Sequence, residues 1–196
     1  MDQDYWTRFR NGEESVFNDI YNRYAQMLYA YGMKIACDDS LVRECVQTLF
    51  VHLYDWRKNI LMPKDLKCYL IASMRNLLYR TRKKRGPVFI SLDSMQVTDK
   101  GLFELTIDGH ETERRGLGEE QIEALQKALN SLTPRQREVI YLRYFKNMSI
   151  SEVSEIVNIN NQSVRDVSYH GLERLRKNGE LVKTLLFTLH FALLLL

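Results

Sequence analysis

The sequence has few of the residues that staple small secreted or metal-binding proteins. Its three cysteines, Cys37, Cys45 and Cys68, form no CxxC pair, and no histidine lies near enough in sequence to complete a zinc site. An odd, unpatterned set of cysteines favours reduced thiols, with Cys45 and Cys68 packed as small apolar residues. We therefore expect no metal, no cofactor and no disulfide framework.

Proline is also scarce, and a hydrophobic share of 45% is that of a globular protein rather than a disordered one. The charged N-terminal stretch lacks the apolar core of a signal peptide, which predicts a cytoplasmic protein. A C-terminal tail, residues 179–196, is almost wholly apolar from Thr184 onward, but this run is shorter than the roughly 20 residues of a spanning helix. No integral membrane segment is expected. The tail could pack on the C-terminal domain, meet an inhibitory partner or associate loosely with a membrane.

Charge is unevenly distributed along the chain. Residues 1–87 carry 15 Lys/Arg against 10 Asp/Glu, residues 88–120 carry 3 against 8, and residues 121–196 carry 10 against 7. Two basic blocks therefore flank an acidic stretch, a pattern that suggests a nucleic-acid partner.

Apolar spacing of three and four residues predicts helices in the first block. The pattern runs from Glu14 to Lys58, with a break at residues 38–40 whose side chains can cap a new helix. A third helix is predicted from about Asp65 to about Lys84. Residues 1–87 thus form a first helical domain.

Residues 88–118 have no sustained helical period and hold four of the nine glycines. At this length they are too long for an ordinary loop inside a domain, so we predict an extended acidic linker in which only VFISL is ordered. A second small helical domain, residues 119–178, follows. The predicted fold class is all-α, with two small helical domains joined by this linker.

The second domain carries the spacing of a helix-turn-helix. Thr133 and Pro134 begin one helix, and Asn158 suits a left-handed turn before the N-cap Asn160. Five apolar residues fall at positions expected to face the helix crossing, where they would pack the two motif helices together. They are Val153, Val157, Ile159, Val164 and Val167. A plain helical hairpin would tolerate the same pattern, so spacing alone favours DNA binding only modestly.

Polar residues on the outer face of the second motif helix are free to reach base edges in a major groove. These candidate base readers are Asn161, Gln162, Ser163, Arg165, Asp166 and Tyr169. Nearby cations are candidates for phosphate contacts. They are Arg135, Arg137 and Arg174, with Arg143, Arg165, Arg176 and Lys177 as further members.

Residues 132–177, LTPRQREVIYLRYFKNMSISEVSEIVNINNQSVRDVSYHGLERLRK, resemble the promoter-recognition region at the C-terminal end of bacterial sigma factors. VFNDIYNRYAQMLYAYGMKI, VRECVQTLFVHLYDWRKN and DLKCYLIASMRNLLYRTRKKR are similar, in that order, to the core-binding and DNA-melting region of the same proteins. The resemblance covers roughly residues 14–85 and 119–177. Two such domains in this length are typical of the extracytoplasmic-function (ECF) subfamily.

The resemblance implies a non-enzymatic function: binding core RNA polymerase, at the β′ clamp helices and the β flap, and directing it to promoters. Domain 1–87 would bind core polymerase and the −10 element, and domain 119–178 the −35 element. The implied polymerase contacts are Glu44, Gln47, Thr48 and Phe50. The implied −10 contacts are Lys67, Tyr69, Arg75, Asn76, Arg80, Arg82, Lys83 and Lys84. Members of the subfamily are often held by an anti-sigma factor, which the resemblance implies as a further partner.

Several residues depart from the family pattern. Thr48 stands where an acidic residue is common, and Val167 and Ser168 stand where an Arg–Leu pair is frequent. Asp166 is acidic on a helix meant for DNA, and would repel phosphates unless it accepts from a cytosine amino group or pairs with Arg165.

Two other functions stay open. One is a helix-turn-helix transcription regulator whose N-terminal half senses a ligand or a partner. The other is an enzyme such as a recombinase, for which Ser73 and Tyr79 are conceivable nucleophiles without a surrounding acid–base set.

Overall fold

A computed structural model describes residues 3–85, 103 and 119–177 of the chain. Every regular element in these ranges is helical, which confirms the predicted all-α class. The chain divides into two compact units, Met1–Met95 and Gln96–Leu196. The predicted linker bounds stay a prediction, because all of residues 88–118 except Phe103 lie outside the described residues, VFISL included.

The described part of the N-terminal unit, residues 3–85, contains four helices. They are α1 (Gln3–Arg10), α2 (Glu14–Ala36), α3 (Asp39–Asp55) and α4 (Leu66–Arg85). Asp38 caps α3 by accepting a hydrogen bond from the Leu41 amide at 3.0 Å. Asp65 does the same for α4 with the Cys68 amide at 2.7 Å. Both predicted helix starts are therefore confirmed.

Helices α2, α3 and α4 pack on one another around a core of aliphatic side chains, and α1 packs on α2. The close approach depends on Gly32 in α2, where an added Cβ would lie 2.8 Å from both Met74 Cε and Val42 Cγ1. Cys45 and Cys68 are buried, as predicted.

The C-terminal unit contains shorter helices. They are α5 (Glu119–Asn130), α6 (Pro134–Ile140), a π-helical turn (Tyr141–Phe145), α7 (Ile150–Val157) and α8 (Asn161–Lys177). Thr133 and Ser149 each begin a helix with a reciprocal capping box, through Gln136 and Glu152. Local hydrogen bonds of this kind give short helices defined starting points.

Helices α7 and α8 form the predicted helix-turn-helix. Asn158 adopts the left-handed conformation at φ 54, and the Asn160 side chain accepts from the Ser163 amide at 2.7 Å. Gly171 lets α8 approach α6, since an added Cβ would lie 3.3 Å from Ile140 Cγ1. The predicted turn and cap are both confirmed.

The structure corrects two predictions. Val153, Val157 and Val164 are buried as expected, but Ile159 and Val167 are only half-buried. Ser168 takes the core-facing position beside Val167, because α8 repeats at Val164, Ser168 and Leu175. Phe103, which was assigned to the linker, is buried with its ring 5.5 Å from that of Tyr141. At least this linker residue belongs to the core of the C-terminal unit.

No helix in the described ranges is long and apolar enough to cross a membrane. The tail, residues 179–196, lies outside those ranges.

Candidate nucleic-acid and polymerase interfaces

Helix α8 separates an apolar face from a polar one. Val164 and Leu175 are fully buried, whereas Gln162, Arg165 and Asp166 are exposed. Tyr169 is 63% exposed. Residues 162, 165, 166 and 169 follow the helical spacing of one face, so they form a single outward stripe, which we call the α8 stripe. Asn161 flanks it in the open, and Ser163 is half-buried. Five of the six predicted base readers are therefore exposed.

The acidic residue of the stripe has a partner that the sequence did not suggest. Gln162 Nε2 donates to Asp166 Oδ1 at 2.9 Å, one helical turn away. The sequence suggested Arg165 instead. The side chains of successive residues on a helix point about 100° apart, whereas side chains four residues apart lie next to each other. Asp166 therefore belongs to an amide–carboxylate pair on the exposed α8 stripe.

Further along α8, a charged group lies near the helix end. Glu173 accepts from Lys177 at 3.2 Å and lies 3.7 Å from His170. Lys177, followed by His170, lowers the pKa of Glu173. Arg174 is exposed in the same last turns, where cations also complement the helix dipole.

The cations around α6 differ in how available they are. Arg135 and Arg137 are half-buried, and the Nε atom of each is buried without a hydrogen-bond partner among the described residues. Arg143 donates to the Met148 carbonyl, which fixes the turn before the helix-turn-helix. Arg143 thus has a structural bond of its own, which its place in the predicted phosphate set did not anticipate.

The N-terminal unit has a groove between α2 and α3. It has a volume of about 1020 Å³. Phe17 packs against the rings of Phe50 and Tyr54, with centroids at 6.3 and 5.1 Å, and Tyr21 packs on Phe50 at 4.8 Å. Tyr21 is 44% exposed and Val51, at the rim, is 49% exposed. An exposed aromatic surface of this kind is typical of protein docking sites.

The predicted polymerase contacts lie on or near this groove to different degrees. Gln47 is exposed and lines it, while Glu44 is exposed on the same helix. Phe50 also lines the groove but is only 3% exposed. Its ring therefore supports the groove floor more than it offers free contact area, and Thr48 is half-buried.

A charged cluster lies at one end of the groove. Asp39 accepts from Arg43 Nε at 2.9 Å and from the Tyr29 hydroxyl at 2.6 Å. The Arg43 hydrogen bond is the main cause that lowers the pKa of Asp39, and the Asp39 hydrogen bond raises the pKa of Tyr29.

A second cavity, of about 450 Å³, lies between the end of α3 and the outer side of α4. Predicted −10 residues Tyr69, Asn76 and Arg80 line it, together with Trp56, which is 62% exposed. Aromatic rings beside a cation suit an unpaired base and its phosphate. The structure thus brings three of the predicted −10 residues together at one cavity.

Other predicted −10 residues are placed differently. Arg75 is only 4% exposed, and its guanidinium lies 4.7 Å from the centroid of the Tyr79 ring. Arg82 donates to the Ile35 carbonyl at 3.3 Å. Lys67 and Lys83 are half-buried, and the side chain of Lys84 is outside the described set. Burial of Arg75 on the inner side of α4 leaves it no open path to a DNA strand in this conformation.

The structure also reveals exposed residues that sequence reasoning missed. Trp56 ends α3, and in the loop after it Leu61 is 86% and Met62 is 41% exposed. A tryptophan followed by a polar, cation-containing loop was the available signal, but only tertiary packing shows that its ring is left uncovered.

Comparison with known proteins agrees with this architecture. Residues 128–177 match the family described as sigma-70, region 4, and this range includes the helix-turn-helix of α7 and α8. Two relatives are ECF RNA polymerase sigma factors of Bacillus subtilis (strain 168). SigX is 22% identical, with 87% of each chain covered. SigW is 25% identical, covering 86% of this chain and 91% of SigW.

A solved structure shares the fold. It is the sigma factor RpoE in complex with the anti-sigma factor NepR from Bartonella quintana, with a TM-score of 0.55, 20% identity and coverage of 83% of this chain and 95% of that one. The region 4 match and the two relatives support the assignment of this chain as an ECF RNA polymerase sigma factor, and the solved structure shows that the fold is shared. Promoter-directed transcription is accordingly its function, as the resemblance predicted.

Proposed function

We propose that each unit of this sigma factor has a defined part in promoter recognition. The N-terminal unit docks on core RNA polymerase through the groove between α2 and α3. It holds the melted −10 strand at the second cavity, which is lined by Trp56, Tyr69, Asn76 and Arg80. The C-terminal unit reads the duplex −35 element with the α8 stripe. The observation that carries the proposal is the α8 stripe, whose polar residues face outward while the apolar residues of the same helix are buried.

Groove chemistry supports the polymerase contact. Phe17, Tyr21 and Phe50 form an apolar floor, with Gln47 and Arg43 as polar neighbours. An apolar centre with a polar rim is the usual composition of a protein interface. Docking there would bury Tyr21 and Val51, which are open in the free protein.

Cavity chemistry supports the strand contact. Trp56 and Tyr69 offer ring faces, Asn76 offers an amide, and Arg80 offers a charge for the backbone. A strand base that leaves the duplex loses stacking, and stacking on a protein ring compensates for that loss. The chain would thereby favour strand separation without catalysing a covalent step.

Cytoplasmic location and an anti-sigma partner are part of the proposal. RpoE of Bartonella quintana has been solved with the anti-sigma factor NepR, and this chain shares its fold. The non-enzymatic role rests on the relatives, which are named as sigma factors.

Run-off transcription with bacterial core polymerase tests the function directly. We expect specific start sites across a genomic promoter library only when the full chain is present, with shared sequence at both upstream elements. A folded chain that neither binds core nor creates start sites would instead support the helix-turn-helix regulator, and strand cleavage would support the recombinase.

A pair of variants tests the groove. Val51→Asp places a charge at the apolar rim, so we expect core binding to weaken by more than about tenfold, since an unpaired charge buried at an interface is costly. Leu61→Asp makes a comparable change at an exposed residue outside the groove and should leave core binding unchanged. Equal effects of the two variants would exclude the groove as the docking surface.

A further inference from the structure

The Gln162–Asp166 pair is the feature of the α8 stripe whose chemistry is most specific. Both side chains are exposed, both lie on the outward face, and the amide nitrogen donates to the carboxylate at 2.9 Å. Around them the stripe has a cation, Arg165, and a ring, Tyr169. A carboxylate on a surface that approaches phosphates reduces affinity, so its presence calls for a role in selectivity.

The pair has a fixed polarity. A carboxylate can only accept hydrogen bonds, so the Gln162 amide must turn its NH2 group toward Asp166 and cannot flip while the pair is intact. One N–H of that NH2 group is used by Asp166, which leaves the second N–H as a donor and Oε1 as an acceptor. Asp166 keeps its other oxygen as a further acceptor.

These remaining groups match one base edge in the major groove. Adenine presents the N6 amino group as a donor beside N7 as an acceptor, and a glutamine amide pairs with both. Guanine presents two acceptors, O6 and N7, and thymine presents O4, so each would place an acceptor against Oε1 or the carboxylate. Cytosine presents the N4 amino donor, which Oε1 or the carboxylate could accept, but it has no neighbouring acceptor for the second N–H of Gln162, so only adenine pairs with both. Free glutamine could flip to suit another edge, but a glutamine held by Asp166 cannot.

We propose that Gln162 and Asp166 act as one reading unit that selects adenine at a single base pair of the upstream promoter element. Gln162 contacts the base, and Asp166 is a positioning residue that fixes the amide orientation and rejects edges rich in acceptors. This inference rests on the proposed function, because it requires α8 to enter the major groove of that element.

The test uses the full chain with core polymerase and a promoter whose upstream element is randomised, with start-site yield sequenced for each base. Wild type should favour adenine at one position by about tenfold, within the range of a bidentate contact. Gln162→Ala identifies that position, because its preference should disappear there and nowhere else.

The substitution Asp166→Asn distinguishes the effect of Asp166 on the orientation of the Gln162 amide from the effect of its negative charge on DNA affinity. Asparagine keeps the shape but can both donate and accept, so the amide of Gln162 regains its freedom to flip. We expect the adenine preference at the Gln162 position to fall severalfold while overall promoter affinity rises, because one negative charge is removed near phosphates. Combining the two substitutions should reduce selectivity no further than Gln162→Ala alone.

Glu155→Gln is the matched control, since it removes the same charge from an exposed residue of α7. It should leave every base preference unchanged. The inference is overturned if Asp166→Asn alters affinity only, as Glu155→Gln does, or shifts preference at a base pair other than that of Gln162. It is also overturned if wild type selects guanine, thymine or cytosine at that position. Absence of any start site with wild type would instead defeat the proposed function.

Discussion

The N-terminal unit presents a groove and a cavity between long helices, whereas the C-terminal unit presents one polar stripe on a single helix. The groove depends on rings from both α2 and α3, such as Phe17 and Phe50. The stripe depends only on which residues of α8 face away from Val164 and Leu175. A surface built by several helices is sensitive to packing, and a surface built by one helix is sensitive mainly to its own sequence.

Two aromatic residues with nearly equal exposure offer the most direct test of this division. Trp56 is 62% exposed in the N-terminal unit and Tyr169 is 63% exposed in the C-terminal unit. We expect Trp56→Ala to weaken binding of holoenzyme to a single-stranded −10 oligonucleotide by about tenfold, because stacking on one base is worth about 1–3 kcal/mol. Tyr169→Ala should not change that binding.

The effects of these two substitutions should be reversed on duplex DNA. Tyr169→Ala should weaken binding to a duplex upstream element, and Trp56→Ala should not, as measured by competition with labelled promoter fragments. If both variants affected both substrates equally, the two units would not divide strand and duplex recognition.

The two units also differ in how closely their helices approach each other at a glycine. In Gly32→Ala the new methyl group would lie 2.8 Å from the stiff Val42 side chain, so we expect a net loss of about 1–2 kcal/mol after the gain in helix propensity. In Gly171→Ala the nearest atom would be Ile140 Cγ1 at 3.3 Å. That contact can relax by a few tenths of an ångström, so the propensity gain should leave stability unchanged or slightly higher.

Thermal and urea unfolding of the full-length variants would measure both changes. A destabilisation by Gly171→Ala as large as that by Gly32→Ala would show that the helix crossing in the C-terminal unit is as tightly packed as the one in the N-terminal unit.

Substitution of Ser168 should change the unfolding free energy by a smaller amount than Gly32→Ala and in the opposite direction. Its hydroxyl is buried at the inner face of α8 and lacks a hydrogen-bond partner among the described residues. Ser168→Ala removes a polar group that was taken from water without compensation, so unfolding free energy should rise by about 1 kcal/mol. Ser163→Ala, on a half-buried residue of the same helix, is the comparison. No gain from Ser168→Ala would indicate that water reaches the hydroxyl.

The smallest effect concerns the exposed pair at the α1–α2 turn. Hydrogen bonds from Arg8 and then Ser15 lower the pKa of Glu13 to about 2. Because the folded-state pKa is depressed, the pair stabilises the protein above the ordinary glutamate pKa of 4.5, and this contribution is lost as pH falls toward 2. The Tm difference between wild type and Glu13→Gln should therefore be small and should shrink through that range.

Glu14→Gln, at the neighbouring exposed position, controls for the loss of a negative charge at the start of α2. A Glu13→Gln difference that stayed constant from pH 5 to about pH 2 would contradict the assigned pKa.

Sequence patterns anticipated the parts of this protein that are set by bonds between near neighbours. The capping side chains of Asp38, Thr133 and Asn160 act within three residues of their partners. The left-handed turn at Asn158 and the exposed α8 stripe follow from the same local spacing. Such features are legible in the sequence because their energies do not depend on distant elements.

Packing decided what lies between elements. Only the docking of α4 shows that Arg75 turns inward and Arg80 outward, and only the end of α3 shows that Trp56 is left open beside a cavity. Residue types and spacing therefore determined the helices and the family resemblance of this protein. The tertiary structure decided which charged and aromatic groups can meet a partner, because the burial of a side chain depends on all the elements that pack around it.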